Sequence, residues 1–187
     1  MKTLTRTFSR NFLASHPNAG QPTFFVEKIW KWYYDQHNGD VRDLLWYNEQ
    51  YDNEFGEEAN FNVHQFEPKF HTIRSGHHFA AGDYLRPKVW RGVPYRSKQL
   101  QFMPDLEIKA VYDLKITIED KCVCGYVNGN LFYYQFESGK EWGGVILKFI
   151  AQNDGLDTQK FKDWFKWGQP FDGQIICWKD VYKNVFV

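Results

Sequence analysis

The sequence predicts an α+β fold: an N-terminal helical extension, then a small β-barrel or strongly bent sheet with flanking helices. Three observations carry this prediction. Apolar residues recur at spacings of three and four before residue 40. From about Val63 the pattern shifts toward short β-rich runs broken by Gly, Pro and Asn. An Asn-Gly pair, Asn128-Gly129, separates two such runs and is a strong short-range hairpin signal. Many short strands with few helices fit α+β architecture better than a helical bundle or a doubly wound sheet.

Residues 1–22 are expected to be irregular, because Pro17, Asn18, Gly20 and Pro22 punctuate them, with Phe8, Phe12 and Leu13 as anchors. Thr23 is placed to cap a helix running to about Gln36, whose apolar stripe includes Phe25, Val26, Ile29, Trp30, Trp32 and Tyr33. Gly39 is its expected stop. Asp40 can cap a second helix carrying Val41, Leu44 and Leu45. The polar, acidic residues 48–62 read as a loop.

Strands are then expected at 69–73 and Tyr84–Trp90, where Pro87 implies an edge or a bulge. Gly92-Val93-Pro94 forms a turn. Residues 97–102 and 106–118 follow as strands, the second long enough to bend. Cys122–Val127 and Asn130–Phe136 flank the Asn-Gly turn. Residues 145–151 favour a helix after Gly143-Gly144. Asp157 or Thr158 caps another helix, bearing Phe161, Trp164 and Phe165 and stopping near Gly168, and 174–178 form a last strand. The organisation predicted is a helical extension over 1–65 packed on a barrel domain over 66–187.

The chain has 187 residues, enough for a sizeable core, and a formal net charge of zero. Whole-protein charge therefore selects no partner, but its distribution does more. Between Lys69 and Lys98 stand seven basic residues (Lys69, Arg74, Arg86, Lys88, Arg91, Arg96, Lys98) and one acid, Asp83. A local basic patch with Trp90 and Tyr95 interleaved suits nucleic acid, although an ordinary charged surface has the same composition. Aromatic residues make up 19% of the chain, including eight Trp; they fill cores and also form stacking platforms for bases.

Cys122, Cys124 and Cys177 are odd in number, and Cys-x-Cys is not a usual zinc spacing. They read as reduced thiols in a cytoplasmic protein, with Cys122 and Cys124 on one strand face. His77 and His78 are adjacent and face opposite ways if extended, so no metal or other cofactor is expected. No run approaches a membrane span, and the N-terminus shows no apolar signal region.

The densest candidate chemistry lies at Lys69, Thr72 and Arg74. On a strand Thr72 and Arg74 share a face while Lys69 has the other parity, unless Pro68 or a bulge brings it round. A threonine hydroxyl becomes a nucleophile only with a base beside it, and a lysine serves as base only if its pKa is lowered. Arg74 suits a phosphate or base edge, or a salt bridge with Asp83 across the turn. Arg91, Arg96 and Lys98 can track a phosphate backbone, and Tyr95 or Trp90 can stack a base; a solvated hairpin tip is the plain alternative.

Lys69-Phe70-His71-Thr72-Ile73-Arg74, followed by Phe79-Ala80-Ala81-Gly82-Asp83-Tyr84-Leu85, resembles the ASCH family, whose fold is similar to the PUA domain. Ala151-Gln152-Asn153-Asp154-Gly155-Leu156, with residues 161–165, is similar to that family's acid-Gly segment and following helix. The resemblance covers roughly residues 66–178. It implies a small β-barrel with a cleft for RNA or a modified nucleoside. One bacterial branch is an amidohydrolase acting on N(4)-acetylcytidine. Lys69 and Thr72 match its lysine and threonine positions, and Asp154 falls near its glutamate position, one methylene short. A carboxylate displaced by about 1 Å can cost on the order of 100-fold in rate. Glu107 is another carboxylate that can reach such a cleft, or simply a surface strand residue.

Three functions are therefore expected in order: a nucleic-acid or nucleobase binding module of ASCH type; an amidohydrolase on an N-acylated nucleoside, with Thr72 attacking, Lys69 as base and Asp154 orienting; and an interaction module using the aromatic N-terminal helices. The last requires exposed Trp30 and Trp32.

Overall fold

The computed structural model describes residues 1–56 and 63–186. In chain order the elements are β1 (Thr3–Thr7), α1 (Phe25–Gln36), α2 (Arg42–Phe55), a 3-10 turn (Val63–Gln65), β2 (His71–Ser75), β3 (Tyr84–Trp90), β4 (Gln99–Gln101), β5 (Leu106–Glu107), β6 (Ala110–Glu119), β7 (Cys122–Val127), β8 (Asn130–Phe136), β9 (Glu141–Trp142), α3 (Gly144–Asn153), α4 (Thr158–Trp164) and β10 (Phe171–Cys177). The fold is α+β. Its strands form two open sheets, and the expected barrel closure is absent among the described residues. The physical reason lies at 106–118. The single bending strand expected there breaks at Ile108-Lys109, and its two parts, β5 and β6, join different sheets.

The chain forms two units: Met1–Lys69 with Asp83–Glu107, and Phe70–Gly82 with Ile108–Val187. The first crossing falls four residues beyond the expected 65/66 boundary, and Asp83–Glu107 returns to the first unit.

In the first unit β3 is central, parallel to β1 and antiparallel to β4 and β5. Residues 1–22 are thus not wholly irregular: Thr3-Leu4-Thr5-Arg6-Thr7 alternates β-branched side chains and pairs along β3 from Tyr84 to Lys88. Pro87 sits inside β3 without a bulge. Even-numbered residues of β3 bond toward β1, as Tyr84 N–H to Lys2 O (2.8 Å) and Phe8 N–H to Lys88 O (2.7 Å) show. The missing N–H of Pro87 therefore faces the other side, in the gap between the β4 and β5 pairings, where no ladder bond is lost.

α1 packs Trp30 into the core, with its Nε1–H on Phe102 O (2.9 Å) and its ring edge-on to Tyr51. The capping position of α1 falls on Phe24 (φ 57°), one residue beyond the expected Thr23. The Thr23 hydroxyl donates to Ser9 O (2.6 Å) and accepts from Phe25 N–H (3.3 Å). α2 runs through Asn48–Phe55, correcting the loop expected there. Leu44 and Tyr51, seven residues apart, are buried on one helix face, and Arg10 reaches the Tyr51 hydroxyl (3.0 Å) and lies over the Phe55 ring (3.6 Å). The rest of that expected loop, residues 57–62, lies outside the described residues. Trp30 and Trp32 are both buried, so the interaction reading loses the two anchors it required.

The second unit is a six-stranded antiparallel sheet, ordered β2-β10-β6-β7-β8-β9. β6 alternates cleanly: Tyr112, Leu114 and Ile116 are buried, while Asp113 and Lys115 face solvent. The hairpin β7–β8 turns at Asn128 (φ 49°) and Gly129 (φ 78°), both left-handed as a type I′ turn requires. Asp157 caps α4, accepting from Lys160 N–H (2.8 Å). The three cysteines are reduced and buried, with Cys122 and Cys124 sulfurs 3.7 Å apart. Among the described residues no helix is long and apolar enough to cross a membrane.

Candidate functional site

The residues singled out by sequence divide between the units. Thr72, Arg74 and Asp154 belong to the second; Lys69, Trp90, Arg91, Tyr95, Arg96, Lys98 and Glu107 belong to the first.

In the second unit Thr72 lies on β2 opposite Ile176 and is buried, while Arg74, opposite Gln174, is half-buried. Thr72 carries no hydrogen bond on its hydroxyl among the described residues. Asp154 ends α3, and its buried carboxylate lies 3.7 Å from Nε2 of His71. The other ring nitrogen of His71 meets the Tyr182 hydroxyl at 3.1 Å. Burial pushes the Tyr182 phenol well above its ordinary pKa, so it remains a neutral hydrogen-bonding group. Nearby, Tyr112 donates to Asp180 (2.7 Å), whose Oδ1 also accepts from Tyr182 N–H. The carboxylate expected to assist Thr72 thus has His71 as a neighbour, at a distance beyond hydrogen-bond reach. His71 and Tyr182 were not foreseen as partners; 111 residues separate them, and neither sits in a recognisable pattern.

Lys69, in the first unit, is buried. Its N–H donates to Lys28 O (3.1 Å) and its ammonium lies 4.5 Å from the Phe25 ring centre. Glu107 is exposed on β5, opposite Tyr84.

The basic and aromatic residues of the first unit converge more openly. On β3, Leu85, Pro87 and Val89 are buried, which turns Tyr84, Arg86, Lys88 and Trp90 to the half-exposed face. Their neighbours in register are Thr3, Thr5 and Thr7 on β1 and Gln99 and Gln101 on β4. This face therefore combines hydroxyls, amides, cations and an indole. Arg86 is held by Asp105 through two hydrogen bonds (2.9 and 2.7 Å), and Arg91 pairs with Glu54 (2.9 Å). Arg96 and Lys98 are exposed, with no ion pair among the described residues.

The loop beyond β3 is braced internally. Arg91 N–H donates to Lys98 O (2.9 Å), Ser97 N–H to Val93 O (3.0 Å), and the Ser97 hydroxyl accepts from Gly92 N–H (3.0 Å). At its tip Tyr95 takes a left-handed φ of 64°. For a non-glycine residue that conformation costs on the order of 1–2 kcal/mol. It leaves the Tyr95 ring 90% exposed, tilted 51° against Trp90 with centroids 5.4 Å apart. A groove of about 260 Å³ runs beside the loop, with Arg10, Phe12, Leu13, Trp90, Arg91 and Pro94 among its walls. An exposed aromatic ring on a braced loop that also carries guanidinium and ammonium groups can stack a base and hold phosphates.

The sequence points to Trp90, Tyr95 and the cations here, Lys88 included, but not to Arg10, the β1 threonines or Gln99. The alternation of Thr3–Thr7 is a signal for the threonines. No family model, curated protein or solved structure matches the chain.

Proposed function

We propose that the protein binds single-stranded RNA, using the solvent face of β1-β3-β4 and the loop at 91–98. The observation that carries this reading is Tyr95: an aromatic residue held at a cost in backbone strain, almost fully exposed, against Trp90 and in a loop that also carries Arg91, Arg96 and Lys98. A ring in that position gains only its tilted contact with Trp90 for the fold, whereas a base stacked on it contributes about 1–3 kcal/mol. The loop's internal hydrogen bonds hold the platform in place before a ligand arrives, which lowers the ordering cost of binding. The tilted Trp90–Tyr95 pair is too close to admit a base between the rings, so one base stacks on the outer face of Tyr95. The resemblance of residues 66–178 to the ASCH family, and through it to a PUA-like fold, points to the same class of ligand.

The test is fluorescence anisotropy with a single-stranded RNA of mixed sequence. Tyr95→Ala is expected to weaken binding by about 5–150-fold, the equivalent of one stacked base. Undiminished binding by this variant would overturn the assignment of the loop. A parallel incubation with N(4)-acetylcytidine, with Thr72→Ala as control, addresses the hydrolase reading. Cytidine release that disappears in the Thr72 variant would transfer the function to Thr72.

A further inference from the structure

His77 lies outside the surface just described, in the segment that follows β2, and its imidazole is held at both ends. Nδ1 stands 3.0 Å from Asp113 Oδ1 on β6, and Nε2 stands 2.7 Å from Asp172 Oδ1 on β10. A neutral imidazole has one donor and one acceptor nitrogen, and a carboxylate only accepts. The neutral ring can therefore satisfy one aspartate while turning a lone pair against the other. Only the imidazolium donates to both. The hydrogen bonds to Asp172 and Asp113, and their charges, accordingly raise the His77 pKa.

Behind His77 the same segment has a second anchor that does not titrate. The buried Gln174 amide oxygen accepts from His78 N–H (2.9 Å) and Phe79 N–H (3.1 Å), and its NH₂ donates to Phe79 O (3.2 Å). Phe79 itself is buried. One end of the segment is thus fixed by an amide and a ring. The other end is held by Ser75, paired with Gly173 in the β2–β10 ladder, and by Gly76 N–H on Asp172 O (3.2 Å). Between these two fixed ends the His77 side chain adds a proton-dependent bridge.

We infer that His77 is a pH-operated latch, its imidazolium clamping the tip of this segment to Asp113 of β6 and Asp172 of β10 when it carries a proton and freeing the tip when it loses it. The charged and titratable groups sharing its groove, a space of about 430 Å³, are Asp113, Lys115 and Glu119 of β6, Tyr126 of β7 and Asp172 of β10. Lys115 alone among them opposes the imidazolium. The sign follows from the raised pKa: the latch is fully closed below the ordinary histidine value and opens as pH rises through the higher, folded-state value. Each unit between those two values corresponds to a tenfold change in the closing equilibrium. The inference is independent of RNA binding.

The experiment uses the full chain. Long-range ¹H–¹⁵N NMR follows the two His77 ring nitrogens with pH, and amide exchange, corrected for its intrinsic pH dependence, follows Gly76, whose N–H donates to Asp172 O. The expected result is a His77 pKa above about 6.5, lowered in Asp172→Asn. Protection of Gly76 should fall through that transition while Phe79, held by Gln174, stays protected. In His77→Ala the pH dependence of that protection should vanish. A His77 that titrates at or below the ordinary value, or Gly76 protection equal on both sides of its titration in the unsubstituted protein, would overturn the latch.

Discussion

Replacing Lys88, Arg96 and Lys98 together by Gln removes the cations of the proposed RNA surface that have no ion pair among the described residues. Arg86 and Arg91 are excluded because Asp105 and Glu54 already neutralise them. Each phosphate neutralised on a single strand contributes about −0.7 to the slope of log Kobs against log salt. Three lost contacts should therefore flatten the slope by about 2. Between 50 and 200 mM salt that difference amounts to roughly a 15–20-fold change in relative affinity. The assay is anisotropy of labelled single-stranded RNA titrated across that range, with Arg86→Gln as the paired control. Arg86 exchanges one bidentate carboxylate for nothing, so its removal should leave the slope within about half a unit of the parent. The reasoning fails if the triple variant keeps the parental slope, or if Arg86→Gln flattens it as much as the three substitutions together. The first result would place the phosphates elsewhere; the second would mean that Asp105 gives up Arg86 when RNA arrives.

Two further outcomes test the packing on which the surfaces rest. Gly173→Ala places a Cβ 2.1 Å from Arg74 O across the β10–β2 ladder, where backbone cannot yield cheaply; it should destabilise by about 3 kcal/mol, seen as a fall in Tm of roughly 6–12 °C by thermal circular dichroism. The thiols should be nearly inert to a disulfide reagent at pH 8 in the native protein and react fully in denaturant, because burial pushes Cys177 far up and Cys124 to about 11; rapid native labelling of Cys177 would show that β10 opens on the labelling timescale.

What the sequence disclosed follows the range over which each interaction acts. The Asn128-Gly129 hairpin and the limits of β3, β7 and β8 were legible because turn chemistry and alternation are local. Asp157 as a cap was legible for the same reason. The extension of α2 was not: residues 48–55 are acidic and polar, and they are helical because Tyr51 and Phe55 find Trp30 and Arg10, partners more than 20 residues away. β1 was legible in principle, since Thr3–Thr7 alternates, but a parallel partner 81 positions on gives it no local mark. The same distinction divides the sites. The stacking loop is one continuous stretch of sequence, and its aromatic and basic content announced it. The Thr72 region is assembled from β2, the end of α3 and the C-terminal segment, so a motif could nominate Thr72 and Asp154 yet say nothing of the His71–Tyr182 contact beside the Asp154 carboxylate. That asymmetry bears on function. A binding surface built from neighbouring residues survives small errors of register, whereas a nucleophile, a base and an orienting acid drawn from distant segments must meet within about half an ångström. The Thr72 hydroxyl makes no hydrogen bond among the described residues, so no base stands against it there, and without one a threonine is not a nucleophile. That missing contact is the ground for proposing RNA binding ahead of amide hydrolysis.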